Sequence, residues 1–293
     1  IETIPVFTAQ DFETMTDNLF GNFELQNDID FSSYTNLTQA FIQGRFSGNI
    51  SGAGHTLLGL EIDGGPYISL FYLIEGGTIE NLTISAFNLT GTSHVSTLGW
   101  VLDAIAPVRW HNIIITNSFI TDTTGGFGNY SSGLSSIIAR ANVSISSVHV
   151  DATISGIETR QAGFIAYVRA EADARPDGPD TTNIEITNST FSGISTNIDG
   201  ENAGFIGYIA DNNITITGDN LYQGGQISGS SNKVGHIIGE VVILEQINLT
   251  NISIASTSDI KLVGDHGASL TINPSDDPIE ASDNVTDGSI TKP

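Results

Sequence analysis

Two nearly identical stretches decide the fold: Gln161-Ala-Gly-Phe-Ile-Ala-Tyr167 and Asn202-Ala-Gly-Phe-Ile-Gly-Tyr208. A repeated structural unit leaves this kind of self-similarity in a sequence. Related segments extend the series in both directions at 67–73, 96–102, 131–137 and 233–239. The anchor positions of the six segments are Ser69, Gly99, Gly133, Gly163, Gly204 and Gly235. Their spacing predicts a repeat of about 30 residues, interrupted by an insertion at 170–181.

A short run of alternating apolar and polar residues follows each anchor, for example at 79–84, 142–145 and 183–187. Gly, Ser, Asn and Asp separate these runs, which is the pattern of strands and turns. Several short strands in each repeat predict an all-β, right-handed parallel β-helix, whose turns stack about 4.8 Å apart. A β-sandwich also contains many short strands. The recurrence of one Gly-Phe-Ile motif favours the β-helix.

The two ends of the chain differ from the repeat. Residues 8–20 begin with Thr8 and Asp11, a helix-capping pattern, and predict a helix that covers the open end of the stack. The apolar residues of this segment recur at helical spacing: Phe12, Met15, Leu19 and Phe20. We therefore expect an N-terminal extension at 1–7, a capping helix and first strand at 8–31, the β-helix at 32–263 and an acidic tail or linker at 264–293. The start at Ile1 is typical of a chain from which a signal peptide or an expression tag has been removed, and we interpret Ile1 as a mature N-terminus.

Composition excludes several classes of protein. The 293 residues include 33 acidic and 9 Lys or Arg residues, give a net charge of −24, and contain no cysteine. Nine scattered basic residues cannot supply the basic face of a nucleic-acid-binding protein. Without cysteine, a disulfide scaffold and a Cys-ligated metal site are also excluded. No apolar run reaches the roughly 18 residues that a transmembrane helix needs.

Residues 22–31 and 44–60 resemble the opening of GLUG-type right-handed parallel β-helix modules. These stretches read NFELQNDIDF and GRFSGNISGAGHTLLGL. The later Gly-Phe-Ile-Gly-Tyr turns are similar to the repeating element of those modules, and the resemblance covers roughly residues 8–255. Such modules occur in secreted prokaryotic surface proteins and adhesins. The resemblance implies secretion, a surface role and a structural turn at His55, and it names no ligand.

Signatures of catalysis are sparse in the sequence. Polysaccharide hydrolases need a pair of carboxylates on one face, and the only Asp-Asp pair is Asp276-Asp277, in the tail. The six histidines form no zinc-binding motif. We therefore expect a non-enzymatic extracellular structural or adhesive protein: a filament subunit, surface-layer component or adhesin module. The alternatives are a carbohydrate-binding or polysaccharide-cleaving β-helix and a viral receptor-binding spike.

Asparagine sequons are the most frequent local motif. Eleven Asn-x-Ser/Thr sites occur, at Asn36, Asn49, Asn81, Asn88, Asn129, Asn142, Asn188, Asn213, Asn248, Asn251 and Asn284. A glycoprotein requires asparagines that point to solvent, and the alternation of Asn-Leu-Thr or Asn-Ile-Thr places them there. The same alternation produces sequons from ordinary outward polar residues. Both explanations stay open.

Two further segments are candidates for binding. The insertion at 170–181 gathers Glu171, Asp173, Asp177 and Asp180, which form either a weak calcium site or a solvated acidic loop. Calcium is the one cofactor the sequence suggests, and none is required. The candidates for subunit contact are Ile1, Ile4, Val6 and Phe7, because an apolar extended segment can add to the strand edge of a neighbour. Self-association is the expected partnership, with other surface proteins or a glycan as the remaining partners.

Overall fold

The computed structural model describes residues 2–125, 128–157, 159–169 and 182–217, with shorter pieces at 220–223, 226–228, 234–235, 237–249, 252–255 and 263–266. Helix α1 spans Ala9–Glu13, and a 3-10 turn follows at Thr14–Asp17. The strands are β1 (Thr3–Val6), β2 (Asn22–Leu25), β3 (Ile29–Asp30), β4 (Ile42–Phe46), β5 (Asn49–Ser51), β6 (Thr56–Leu58), β7 (Glu61–Asp63), β8 (Tyr67–Ile68), β9 (Phe71–Ile74), β10 (Gly77–Ser85), β11 (Asn88–Gly91), β12 (His94–Ser96), β13 (Trp100–Leu102), β14 (Val108–Asp122), β15 (Tyr130–Ser132), β16 (Ser135–Ala139), β17 (Asn142–Ile157), β18 (Arg160–Ala162), β19 (Ile165–Arg169), β20 (Asn183–Thr187), β21 (Thr190–Phe191), β22 (Ile194–Ile198), β23 (Asn202–Ala203), β24 (Ile206–Thr217), β25 (Asn220–Gln223), β26 (Gln226–Ser228), β27 (Val234–Gly235), β28 (Ile238–Leu249), β29 (Ile252–Ala255) and β30 (Val263–His266).

The strands pair in parallel with strands of the next repeat. Asn22 lies opposite Asn49, 27 residues later, and Asn142 lies opposite Asn183, 41 residues later across the insertion. The pairings build one sheet of 24 strands and a second sheet of six, β8-β12-β15-β18-β23-β27. The predicted parallel β structure with a repeat of about 30 residues is therefore confirmed. We call each repeat a rung.

Apolar side chains fill the interior in columns that run from rung to rung. Ile79, Trp110 and Ile145 are Cα partners on β10, β14 and β17, and all three are buried. Their strand neighbours, such as Arg109 and His111, point to the other side and are exposed. Strand alternation thus gives every rung an apolar inner face, and each fully buried Ile or Val contributes about 1.5–3 kcal/mol.

One interior column is polar, which the sequence pattern does not predict. Ser131, Gln161 and Asn202 are Cα partners on β15, β18 and β23, and none of them is exposed. Ser131 Oγ donates to Gln161 Oε1 at 3.3 Å, and Gln161 Nε2 donates to Ser195 Oγ at 2.8 Å. Asn202 Nδ2 donates to the Ser195 carbonyl oxygen at 3.0 Å. These bonds offset the cost of burying the polar groups.

One corner of successive rungs is turned by residues in the left-handed region. These residues are Asn81, Asn112, Ser147 and Asn188, with φ of 57°, 50°, 55° and 49°. Asparagine tolerates this conformation better than most residues because its short polar side chain bonds locally. Asn112 Nδ2 donates to Asn81 Oδ1 at 3.0 Å, which joins two rungs. The recurring asparagines therefore have a structural cause.

Three of the anchor glycines lie on top of one another. A Cβ atom added to Gly133 would lie 2.3 Å from the carbonyl oxygen of Gly163. A Cβ atom on Gly163 would lie 2.2 Å from the carbonyl oxygen of Gly204. The backbones approach too closely here for any side chain, so this part of the anchor series is confirmed.

The remaining anchors, Ser69, Gly99 and Gly235, do not lie opposite the anchor of the neighbouring rung. The pairing of Ile68 with Val95 places Ser69 beside Ser96 rather than beside Gly99. Gly235 pairs with Ala203 and not with Gly204. Rungs of unequal length shift the motif by one to three residues, and inspection of the sequence does not detect such a shift.

The N-terminal end is covered as expected, by a shorter helix than predicted. Thr8 and Asp11 form a capping box at the start of α1, and Phe12 and Met15 are fully buried against the first rungs. The helix ends at Glu13 rather than near residue 20 and continues only as the 3-10 turn. Among the described residues, no helix has the length and apolar character needed to cross a membrane.

The outer edge of β1 is blunted by a proline. Gln26 N donates to the Val6 carbonyl oxygen, so the backbone groups of Val6 and Ile4 face β2. Alternation then directs the backbone groups of Thr3 and Pro5 away from the sheet. Pro5 has no N–H, and a proline at such a position opposes the addition of another strand.

Candidate functional site: an aromatic strip on the outer surface

Aromatic and cationic side chains line one outer corner of the rungs. We call this set the aromatic strip: Tyr67, Tyr72, His94, Trp100, Tyr130, Arg160, Tyr167, Arg169 and Tyr208. Part of the strip belongs to a small apolar cluster that is separate from the interior core. Tyr167 is half-buried, whereas its strand neighbours Ala166 and Val168 are completely buried. The strip therefore faces outward.

Two columns of side chains contain all of the strip except Tyr72 and Arg169, and they meet across the corner. The first column runs through β8, β12, β15 and β18, and its residues are Tyr67, His94, Tyr130 and Arg160. The second column runs through β13, β16, β19 and β24, and its residues are Trp100, Ile137, Tyr167 and Tyr208.

Residues of the first column stack on residues of the second column from the next rung. The ring centroids of Tyr67 and Trp100 are 5.3 Å apart, and those of Tyr130 and Tyr167 are 5.1 Å apart. Both pairs are close to parallel, with interplanar angles of 24° and 13°. Because outward side chains from two sheets touch, the corner is concave.

Arg160 joins three tyrosines at the second end of the strip. Its Cζ lies 3.9 Å from the ring centroid of Tyr208, 4.6 Å from that of Tyr167 and 5.7 Å from that of Tyr130. Its Nη1 donates to the Tyr130 hydroxyl at 3.3 Å, and its Nε lies 3.9 Å from Glu201 Oε2. Cation–π contacts contribute about 0.5–2 kcal/mol each, so Arg160 holds the tyrosine rings in place.

The two ends of the strip differ in charge. Burial, together with the positive charge of Arg169, lowers the pKa of His94 to about 4, so His94 is neutral at pH 7. Burial raises the pKa of Tyr130 and of Tyr208, which therefore stay protonated. The strip thus has an uncharged aromatic end and a charged end, where Arg160 lies near Glu201 and Glu240 is the Cα partner of Tyr208.

Trp100 provides a hydrogen-bond donor with no partner in the described part of the chain. Its Nε1 is inaccessible to solvent and donates to no described atom. A buried indole N–H normally has an acceptor, but the N–H of the core residue Trp110 is unpaired in the same way, so this feature marks no binding site by itself.

The sequence contained a signal for the strip that motif inspection missed. Arg160 and Tyr167 lie three residues before and four residues after the anchor Gly163. Tyr130 and Tyr208 occupy these same two positions around Gly133 and Gly204, respectively. Trp110 is completely buried in the core, whereas Trp100 lies in the strip.

The sequon asparagines are dispersed over the surface, and most have a local structural role. Asn36, Asn81 and Asn188 have positive φ. Further roles are hydrogen bonds: Asn49 Nδ2 donates to Asn22 Oδ1 at 2.6 Å, Asn142 Oδ1 accepts from Asn183 Nδ2 at 2.8 Å, and Asn129 Nδ2 donates to Thr124. Asn88 is exposed on β11. The side chains of Asn213 and Asn248, and the whole of Asn251 and Asn284, lie outside what the structure describes. Glycosylation stays a prediction.

The remaining candidates are placed as follows. Val6 is buried, Ile4 packs against the core and Phe7 is half exposed, whereas Ile1 lies outside the described residues. The proposed calcium ligands Glu171, Asp173, Asp177 and Asp180 also lie outside them, as does the tail beyond His266. Within the described ranges, no three His, Asp or Glu side chains are arranged to hold a metal ion. Subunit contact and calcium binding stay predictions.

Comparison with known proteins identifies the fold in two solved structures. A protein from Bacteroides ovatus, described as a proposed immunoglobulin A1 protease, aligns with a TM-score of 0.61 and 16% identity over 92% of this chain and 84% of its own. A structure described as IgA1 protease aligns with a TM-score of 0.60 and 14% identity over 92% of this chain. This chain spans about a fifth (21%) of that second protein. No family model and no curated protein matches the sequence.

These neighbours correct the expectation of a non-enzymatic structural or adhesive protein. The fold is shared with proteins that are named as proteases, so it gives no reason to exclude an enzyme. The expectation relied on the absence of clustered catalytic residues along the sequence. That test fails for a stack of rungs, because the register brings together residues about 30 positions apart.

Proposed function

We propose that this chain is a right-handed parallel β-helix that holds a polypeptide substrate along the aromatic strip, as part of a secreted protease-like protein. The observation that carries this proposal is the strip itself. Tyrosine and tryptophan side chains line an outer concave corner where a protein without a ligand gains little from them. The two neighbours named as immunoglobulin A1 proteases support a role in handling a protein substrate.

The dimensions of the strip fit an extended peptide. Tyr67 and Tyr208 are four rungs apart, which at about 4.8 Å per rung gives about 19 Å. An extended chain covers this length with about six residues. Apolar side chains of such a peptide would contact the rings of the strip.

Secretion is part of the proposal. The sequon-rich sequence and the resemblance of residues 22–31 and 44–60 to GLUG-type modules both support it. Because the second neighbour is about five times longer than this chain, we propose the β-helix as the substrate-holding part of a larger assembly of domains.

Binding to a polypeptide tests the proposal directly. The probes are immunoglobulin A1 and casein, an unstructured polypeptide, and the readout is calorimetry together with the fluorescence of Trp100. Tyr167→Ala and Trp100→Ala should weaken binding at least tenfold, because both remove a ring from the strip. Phe119→Ala is the matched control, since Phe119 is an exposed ring outside the strip.

Two results would contradict the proposal. One is that neither probe binds the native chain. The other is that Phe119→Ala and Tyr167→Ala reduce binding equally, because the strip would then have no special role. Binding to glycans and not to either polypeptide would also overturn the assignment of the ligand.

A further inference from the structure

A second group of reactive side chains lies on a different outer face. Glu80, His111 and Ser146 are Cα partners on β10, β14 and β17. Their inward neighbours Trp110 and Ile145 are completely buried, so the three residues face solvent. A carboxylate, an imidazole and a hydroxyl therefore follow one another on three consecutive rungs, about 4.8 Å apart.

The imidazole and the hydroxyl are already in contact. His111 Nδ1 lies 2.9 Å from Ser146 Oγ, which is the separation of a hydrogen-bonded nucleophile and base. In the described residues no ion pair links Glu80 to His111, so the carboxylate lies one rung away from the imidazole without contacting it.

A cation lies beside this pair. Arg109 precedes His111 by two residues on β14, is exposed on the same face, and is the Cα partner of Ser144 on β17. Its guanidinium can reach the position where negative charge would develop on a substrate attacked by Ser146. The left-handed residues Asn112 and Ser147 bend the chain directly after the pair, which places it at the rim of the face.

We propose that Ser146 is a nucleophile for acyl transfer, with His111 as its base, Arg109 as the cation for the oxyanion, and Glu80 as a positioning residue. The Ser146 Oγ–H proton moves to His111 Nδ1 as Oγ bonds to the carbonyl carbon of an ester or amide. The bond to the leaving group breaks, and that group takes the proton from His111. Water then attacks the acyl-serine, again through His111, and releases the acid.

Another serine–histidine pair on the same protein provides a comparison. His149 Nε2 lies 3.3 Å from Ser192 Oγ. On the preceding rung the Cα partner of His149 is Ile114, so this column lacks the carboxylate. A probe for activated serines should therefore react with Ser146 and not with Ser192.

The experiment uses the full chain and a fluorophosphonate probe, with the labelled residue located by mass spectrometry. A single adduct on Ser146 is expected. Ser146→Ala should abolish labelling and His111→Ala should slow it at least 100-fold. Ser144→Ala is the matched control, because Ser144 lies two residues earlier on the same face and makes no described contact with a histidine. In this variant Ser146 should be labelled at the native rate. All of these side chains are outside the core, and the melting temperature of each variant confirms its fold.

Glu80→Gln separates a positioning role from a structural one. A positioning role predicts slower labelling of Ser146 at an unchanged melting temperature, whereas a purely structural role predicts a lower melting temperature and an unchanged labelling rate of the folded chain. The proposal is overturned if Ser146 is unlabelled, or if the adducts are spread evenly over surface serines. Trp100→Ala should leave labelling by this small probe unchanged, so failure here and failure of the proposed substrate strip are distinguishable.

Discussion

Among the described residues, a cluster of aromatic rings inside the first rungs contrasts with the aromatic strip on the outer surface. The inner cluster is built from phenylalanines: Phe12 and Phe31 have ring centroids 5.5 Å apart, and those of Phe46 and Phe71 are 4.7 Å apart. All four rings are completely buried or nearly so. The aromatic strip has similar ring separations but consists of tyrosines, Trp100 and His94, most of them half-buried.

This comparison shows that the same ring geometry can serve two purposes. A phenylalanine has no polar atom to satisfy, so it can be sealed inside at full hydrophobic gain. A half-buried tyrosine in the strip keeps its hydroxyl near the surface, at a smaller gain in stability. Inner rings should therefore control folding, and outer rings should control binding.

The largest expected effect is that of Phe31→Ala. Phe31 contacts the rings of Phe12, Phe41 and Phe87, and its removal leaves a cavity in the inner cluster. We expect the free energy of unfolding to fall by about 3–5 kcal/mol. Urea denaturation monitored by circular dichroism measures it. A loss below about 1 kcal/mol would mean that the inner cluster does not support the fold.

The second largest effect on stability is expected from the buried carboxyl group of Asp122. Asp122 is almost completely buried, Thr124 N donates to its Oδ1 at 2.9 Å, and its Oδ2 accepts no described hydrogen bond. Burial raises its pKa to about 6, from an ordinary 3.8 in the unfolded chain. As the pH rises, Asp122 loses its proton at a lower pH in the unfolded chain than in the folded chain. The free energy of unfolding therefore falls between about pH 4 and about pH 6.

Asp122→Asn should remove this pH dependence. At pH 7.5 the variant should be more stable than the native chain by up to about 3 kcal/mol, because the native interior holds an uncompensated charge. At pH 3.5 the two should unfold alike. Urea midpoints at both pH values test this, and a variant that is less stable at pH 7.5 would show that the carboxylate is satisfied inside.

A smaller effect on stability is expected for Tyr167→Ala in the strip. The variant loses a stacked ring and a cation–π contact with Arg160, at a half-exposed position. We expect a loss of about 1–2 kcal/mol in unfolding free energy, well below that of Phe31→Ala. Equal losses for the two variants in parallel urea titrations would erase the distinction between inner and outer rings.

The smallest effect is expected for Tyr130→Phe. This substitution keeps the ring and removes only the hydroxyl that accepts from Arg160 Nη1 at 3.3 Å. The expected loss is below about 1 kcal/mol, since the bond is long and partly solvated. A melting curve measures it, with Tyr72→Phe as a control whose hydroxyl makes no described hydrogen bond. A larger loss would assign a structural role to the hydroxyl rather than to the ring.

Much of the fold is predictable from the sequence because alternation and period are local signals. The stacked glycines Gly133, Gly163 and Gly204 are visible as a motif, since any side chain would collide with the next rung. The strip is less predictable, because it depends on which residues share a column across rungs of unequal length. The one-residue displacement of Gly235 shows how that information is lost.

The reactive column on the outer face illustrates the same limit. Glu80, His111 and Ser146 are separated by 31 and 35 positions in the sequence, and no motif joins them. Only the pairing of β10, β14 and β17 brings them into one line. The inner polar column of Ser131, Gln161 and Asn202 is likewise invisible in the sequence, because single polar residues among apolar ones are read as outward positions.

Pro5 gives the molecule a direction. At one pole of the stack, β1 lacks an amide N–H on its free edge and α1 covers the first rungs. This pole therefore offers no complete strand edge for pairing with another strand, whichever residues precede it. A stack of this kind can lengthen during evolution by duplicating an internal unit, but not by adding one above the proline. Variation in length among related chains should therefore be concentrated between the anchor glycines, and the pole with the proline should stay constant.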